Sequence, residues 1–349
     1  MVSLAAMLSN CRTTSKIGVG SAVNFSIDTL VQPFVDHKDT RALSIAILRD
    51  GEPQYFNYGI ISSESNMTPT NQTVYEIGSI SKTFTTTILA QMVEEQKVKL
   101  TDAVSHYFPA GANDWSDDRP VTYLDLATHH SGLPRIPDNL KASYIKNPGN
   151  PYANYFEADL LAFINDYNPV EEGKRQISYS NLGVGLLGYL LTRIDDQTDF
   201  ESLVIKRIFA PLTMNDTYID AERGDLIPGH DDKGHVVSSW EFPVLAGAGG
   251  IRSTSADMLK YLNAHIEGRF APDILFLPRF DYDDKRKIAL GWLLEKDRPI
   301  IWHNGGTGGF RSFVGFVKED KMAVVVLSNT THSVDDIGFA ILSRLMKQD

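Results

Sequence analysis

A serine followed three residues later by a lysine, in Gly78-Ser79-Ile80-Ser81-Lys82, is the pairing with the clearest chemistry in this 349-residue chain. Side chains three apart on a helix share a face, so the Lys82 amine reaches the Ser79 oxygen. At a helix start both also lie beside outward-pointing backbone N–H groups. A nucleophile, a base and an oxyanion donor thus meet within a few residues, and no histidine is required. Ser-x-x-Lys alone is a short pattern with many chance matches, so its weight depends on its surroundings.

Those surroundings begin with the helix itself. Phe84, Ile88, Leu89, Met92 and Val93 recur at helical spacing, which predicts a buried helix that carries Ser79 to the protein's centre. Upstream, residues 25–35 have helical periodicity, and 42–48 and 54–58 form two strands joined across Asp50-Gly51, a hairpin signal. Short helices are expected over 101–108 and 121–129, the latter with Pro120 near its first position. Residues 132–155, rich in Pro, Asn and Gly, form a long irregular excursion of the kind that borders active sites. Helices follow over 181–193, 200–209 and 255–265. Three apolar runs at 300–303, 312–317 and 322–327 then read as an antiparallel meander, turning at Lys318-Glu319-Asp320-Lys321, and a closing helix spans 334–346.

Strands near both ends with helices between them predict an α+β fold: one antiparallel sheet assembled from both ends, flanked by helices, with a mainly helical region inserted. The expected division is a tail or signal remnant over 1–20, a sheet domain from 21–78 and 245–349, and a mainly helical domain over 79–244. The cleft between the two domains would hold Ser79.

Composition narrows the function. A 42% hydrophobic content supports a substantial core, and a formal charge of −11 without Lys/Arg clusters argues against nucleic acid as a partner. Cys11 is the single cysteine, which excludes an internal disulfide and a cysteine-rich metal site. The apolar start ending Leu8-Ser9-Asn10-Cys11 is short and lacks a basic beginning, so it reads as a frayed terminus or a clipped signal. No apolar run is long enough for a transmembrane helix. His129-His130 are adjacent and do not share a helix face, so they read as loop or packing residues. Asp231-Asp232 and Asp281, Asp283 and Asp284 lack a calcium-loop pattern and read as solvated turns, so no metal is expected. The glycines of 183–188 match a dinucleotide pattern without the buried strand it requires, and read as close helix packing. No Gly-x-Ser-x-Gly elbow is present.

Two further segments complete a constellation. Tyr179-Ser180-Asn181 sits at a helix start, and His303-Asn304-Gly305-Gly306 runs into a glycine-dense link between strands. With Ser79-x-x-Lys82 these form an ordered triple by which the sequence resembles class C β-lactamases and their penicillin-binding relatives, the DD-peptidases, D-aminopeptidases and β-lactamase-like esterases. The resemblance covers most of the chain and includes Thr122 to Pro134 and Gly247-Ala248-Gly249-Gly250. It implies the β-lactamase/transpeptidase-like fold, with no cofactor and no metal. By that resemblance Ser79 is the nucleophile, Lys82 and Tyr179 share the proton transfers, and Asn181 positions the substrate's amide. The oxyanion donors would be the backbone N–H groups of Ser79 and Gly306, and His303, Asn304 and Gly305 would line the substrate.

Chemically, either a lysine held neutral by desolvation or a phenol beside an ammonium can take the serine's proton. Where β-lactamases usually carry Lys-Thr-Gly, this chain has His303-Asn304-Gly305. A histidine at its ordinary pKa is only partly cationic at pH 7 and anchors a substrate carboxylate weakly. Arg311, just beyond, reads as a solvated strand-end residue. The expectation is therefore a serine hydrolase acting through an acyl-serine on a small ester, amide or D-amino-acid peptide. An esterase or D-amino-acid peptidase ranks ahead of a β-lactamase, and a non-turnover penicillin-binding sensor is the rival. The family resemblance implies a periplasmic or envelope location, or a cytoplasmic one if the short N-terminus is genuine. Oligomeric state is left open.

Overall fold

The computed structural model describes residues 25–35, 42–64, 66–109, 112–113, 115, 120–168, 176–268 and 270–347. The expected tail over 1–20, with Cys11, lies outside them. Helix α1 (Ile27–Val35) precedes strands β1 (Ala42–Arg49) and β2 (Glu52–Gly59). Asp50 and Gly51 join the strands with φ of 51° and 82°. Positive φ at both positions is what the tightest hairpin turn demands, and Asp-Gly tolerates it.

Strand β3 (Tyr75–Glu76) leads into α2 (Ser81–Glu94), and α3 (Tyr123–Ala127), α4 (Lys141–Lys146), α5 (Glu157–Asp166), α6 (Asn181–Ile194) and α7 (Phe200–Val204) follow. Next come β4 (Gly229–His230), β5 (Val236–Val237), β6 (Arg252–Ser253) and α8 (Ser255–Glu267). The chain ends with β7 (Phe280–Asp281), β8 (Arg286–Ile288), β9 (Leu293–Glu295), β10 (Ile301–Gly306), β11 (Arg311–Val317), β12 (Met322–Ser328) and α9 (Asp335–Leu345). One antiparallel sheet runs β2-β1-β12-β11-β10-β9-β8-β7, so β1, from the start of the chain, pairs with β12, from its end, one strand in from the β2 edge.

All eight residues of β1 are buried because both faces of the sheet are covered. Leu43, Ile45 and Ile47 face a layer that includes residues of α1 and α9, while Ala42, Ala46 and Leu48 face the larger core shared with α2 and α8. Each fully buried large aliphatic side chain there contributes about 2 kcal/mol. No described helix is long and apolar enough to cross a membrane.

Several expected elements are shorter than their periodicity. The 101–108 helix is a single 3₁₀ turn, Val104–Tyr107, flanked by extended Ala103 and Phe108. Phe108 precedes a proline, which disfavours helical backbone. The 121–129 helix is α3 alone, opened by a reciprocal Thr122–Asp125 cap and followed by His129 at φ 62°. Residues 200–209 split into α7 and a π-turn, Ile205–Phe209. The 132–155 excursion contains α4 and a 3₁₀ turn, Asp138–Leu140. Strand β10 runs on through Asn304, Gly305 and Gly306, beyond the apolar run that announces it.

Candidate active site

Ser79 sits in a 3₁₀ turn, Gly78–Ile80, that feeds directly into α2. Glycines bring the late strand onto this turn. A Cβ on Gly78, whose φ is 50°, would stand 2.6 Å from the Gly306 nitrogen, and one on Gly305 would stand 2.0 Å from the Ile77 carbonyl oxygen. Only glycine permits both approaches. Ser312 on β11 fastens the contact, its Oγ donating to the same Ile77 oxygen at 2.8 Å. Ser79 and Gly306 are thereby neighbours although a long stretch of chain separates them.

Lys82, the second residue of α2 and one turn after Ser79, is completely buried, with no carboxylate among its described hydrogen-bond partners. Its Nζ donates to the Ala248 carbonyl at 2.7 Å and to Asn181 Oδ1 at 2.9 Å, and lies 3.1 Å from Ser79 Oγ. Burial, reinforced by the field of Arg135, holds its pKa well below the ordinary lysine value. A neutral amine has two N–H groups and one lone pair. In that neutral form the Ala248 and Asn181 oxygens, which can only accept, take the two hydrogens and leave the lone pair for the Ser79 hydroxyl; in the charged form the third hydrogen points to Ser79 Oγ instead.

Tyr179 stands just before α6, where Ser180 caps the helix by accepting from the Gly183 N–H at 2.8 Å and donating to the Pro134 carbonyl at 2.7 Å. The Tyr179 ring centroid is 4.9 Å from Lys82 Nζ, 5.0 Å from the Arg135 guanidinium carbon and 4.5 Å from the His129 ring. Burial pushes the phenol's pKa up, against a lowering hydrogen bond with Ser79. The shifts run in opposite directions, the lysine's down and the tyrosine's up, and each favours the uncharged form. Asn181, first residue of α6, bridges Lys82 and Tyr152: its Nδ2 donates to the Tyr152 hydroxyl at 3.0 Å.

The late-strand residues depart from simple expectation. His303 is buried, with Nδ1 2.6 Å from the Asn304 carbonyl oxygen, an acceptor that requires a hydrogen on Nδ1. Burial, with the nearby Lys82, pushes its pKa down to about 4, so it is uncharged at pH 7 rather than partly cationic. Asn304 is committed elsewhere, its Nδ2 donating to Asp335 Oδ2 at 2.7 Å. Arg311 is half-buried, not solvated. Its Nη1 donates to the Thr307 and Phe310 carbonyls at 2.8 and 2.7 Å, and lies 2.9 Å from where a Gly306 Cβ would stand.

A cavity of about 680 Å³ opens from Ser79, and its walls include His129, Arg135, Tyr179, Trp240, Tyr282, Arg286, Trp302, His303, Asn304, Gly305, Gly306 and Arg311. All eight residues singled out by motif therefore converge, though Lys82 and Asn181 lie behind Ser79 rather than in the cavity wall. His129, Arg135 and Tyr152 were not anticipated as part of this site. His129 is the nearest to foreseen, since it does pack: it lies against Tyr179, and its Nδ1 accepts from the Ser180 N–H at 3.2 Å. Arg135 and Tyr152 come from the irregular excursion, whose Pro-Asn-Gly richness was the only signal for them.

A family model described as Beta-lactamase matches residues 27–343. The chain is similar to a beta-lactamase of Pseudomonas fluorescens, 26% identical over 88% of this chain and 93% of that protein. It is also similar to a beta-lactamase of Escherichia coli (strain K12), 25% identical over 89% of each. Among solved structures it resembles a beta-lactamase/D-alanine carboxypeptidase from Pseudomonas syringae, with 22% identity, a TM-score of 0.75, and 92% of this chain and 98% of that chain covered. A class C beta-lactamase gives 23% identity, a TM-score of 0.77, and 91% and 94% coverage. At these identities the structural likenesses establish the fold, β-lactamase/transpeptidase-like.

Proposed function

Because the chain belongs to the Beta-lactamase family and is a serine hydrolase, we propose that it turns over small esters or D-amino-acid peptides through an acyl-Ser79 intermediate. The observation that carries this proposal is the Lys82 amine, buried with no carboxylate among its hydrogen-bond partners, its pKa driven down, and 3.1 Å from Ser79 Oγ. Ser79 Oγ attacks the substrate carbonyl carbon as its proton passes to Lys82. The carbonyl oxygen takes up negative charge beside the backbone N–H groups of Ser79 and Gly306. As the tetrahedral intermediate collapses, Tyr179 hands a proton to the departing oxygen or nitrogen and is reprotonated from Lys82. Water then attacks the acyl carbon by the same route in reverse and frees Ser79. Of the two possible bases, the paired shifts of Lys82 and Tyr179 favour the amine.

A β-lactamase is the second reading, favoured by the names of the relatives. Against efficient β-lactam hydrolysis stands His303, uncharged at pH 7, where a lysine would hold the substrate's carboxylate. Intact-mass spectrometry with a chromogenic cephalosporin and, separately, a short p-nitrophenyl ester tests the choice. The expected outcome is rapid ester turnover, a lasting cephalosporin adduct on Ser79, and loss of both in Ser79→Ala with the fold retained. Fast cephalosporin hydrolysis would make the β-lactamase reading correct. Turnover surviving in Ser79→Ala would sink the acyl-Ser79 mechanism.

A further inference from the structure

His265, in the last turn of α8, does not line the Ser79 cavity and is 1% exposed. Neither of its ring nitrogens has a hydrogen-bond partner among the described residues. Its neighbours are rings instead: Tyr261 at 4.4 Å between centroids, Phe276 at 5.3 Å, Trp292 at 5.8 Å and Phe270 at 6.0 Å, all four edge-on. Buried polar groups are normally hydrogen-bonded, so an imidazole boxed by aromatic rings with both nitrogens idle calls for a reason.

The box is joined to α2 through Tyr261. That ring stacks on Phe84 of α2, with centroids 4.0 Å apart and planes 10° from parallel. Its hydroxyl donates to Thr83 Oγ1 at 3.2 Å and lies 3.0 Å from Thr87 Oγ1, both on the same helix. The ring against which His265 packs therefore also braces the helix that carries Lys82.

Nothing around the box welcomes a positive charge. The charge that acts on His265 is itself a cation, Lys318 in the turn between β11 and β12, paired at 2.9 Å with the exposed Asp273 of the turn that carries Phe276. From its own helix come Tyr261, whose hydroxyl is turned to α2, and Glu267, which is exposed. Phe270, Phe276 and Trp292 bring no titratable group. Burial, with Lys318, pushes the imidazole's pKa down to about 3. A protonated imidazole has two N–H groups to satisfy, and the described residues offer neither a partner.

We propose that His265 is an acid-sensitive latch on α2: uncharged, it completes the packing that holds Tyr261 and α8 against that helix, and protonated, it leaves the box and loosens their grip. An unpaired charge in an apolar surrounding is expelled rather than held, so the proton and the packed ring exclude one another. Loss of hydrolysis on acidification through this loosening rests on the acyl-serine reading above. The latch itself does not.

The test follows urea unfolding of wild type, His265→Phe and His265→Leu at pH 7 and at about pH 4.5. Below its unfolded pKa of 6.5 the histidine binds a proton on unfolding that the native box refuses, so wild type loses stability as pH falls. His129 and His303, also buried with lowered pKa values, contribute alike to all three proteins, so the comparison isolates His265. Whatever each substitution costs at pH 7, the variant's folding constant relative to wild type should rise about 10- to 100-fold at the lower pH. Hydrogen exchange of the α2 and α8 amides in wild type, corrected for the intrinsic rate, should quicken over the same interval. A pH dependence running parallel in wild type and both variants, or α2 protection unchanged in wild type, would overturn the proposal. Neither measurement uses a substrate, so its failure leaves the acyl-serine reading standing, and the failure of that reading leaves the latch.

Discussion

Helices α2 and α6 lie side by side and run the same way, and their two ends treat charge in opposite fashion. At the N-terminal end Lys82 meets Asn181 and a backbone carbonyl, with no carboxylate in its hydrogen-bonding shell. About 21 Å away, the length of a 14-residue helix, Asp195 receives Lys97 at 2.8 Å, Lys206 at 3.0 Å and Arg207 at 2.5 Å. Glu95 shares Arg207 and Lys97. Burial alone would push the Asp195 carboxyl up, yet hydrogen bonds from Arg207, Lys97 and Lys206 outweigh it and hold the pKa well below the usual carboxylate range. The far end uses charge to hold two helices and the π-turn together. The near end gives a buried lysine no carboxylate, and its pKa falls.

The comparison breaks most visibly at Lys82. Lys82→Met should reduce ester turnover by about 10³-fold, measured as kcat/KM, and at the same time raise the denaturant midpoint. A base whose folded pKa lies below its unfolded value of 10.5 costs stability at neutral pH, and that cost fades as pH climbs toward 10.5. The stability gain of the Met variant should therefore shrink from pH 7 to pH 10, and an equal gain at both would contradict the neutral amine. Asp195→Ala should do the reverse. It strands three cations around a buried gap and should cost about 3 kcal/mol by urea unfolding, while kcat/KM stays within about twofold of wild type. Because a depressed carboxylate contributes only above its unfolded pKa of 3.8, the difference between Asp195→Ala and wild type should close as pH falls through and below that value. The smallest effect sharpens the same contrast. Lys206, half exposed, should contribute less than about 1 kcal/mol when changed to Met.

What could be read from the sequence divides along the distance a claim must span. Ser79 and Lys82 meet through helical spacing, and the β1–β2 hairpin and the apolar cores of β10 to β12 are written in local alternation and turn residues. The order of Tyr179, Asn181 and His303 after them pointed to the family. Strands β7 to β9 escaped notice because runs of two or three residues are too short to have a periodicity to detect. Arg135 and Tyr152 lie in an excursion whose path only the folded chain reveals. The charge state of His303 is likewise a property of its surroundings: burial, not residue type, sets it.

Ser312 Oγ reaches the Ile77 carbonyl across 235 residues, and strand β1, already paired with β2, completes its pairing only with β12. Contacts so distant along the chain are slow to form, because each demands closure of a very long loop before it returns any stabilisation. The turn that presents Ser79 is thus braced only once the late hairpin has docked, so in refolding the return of hydrolysis coincides with the last ordering of the sheet rather than with the early helices.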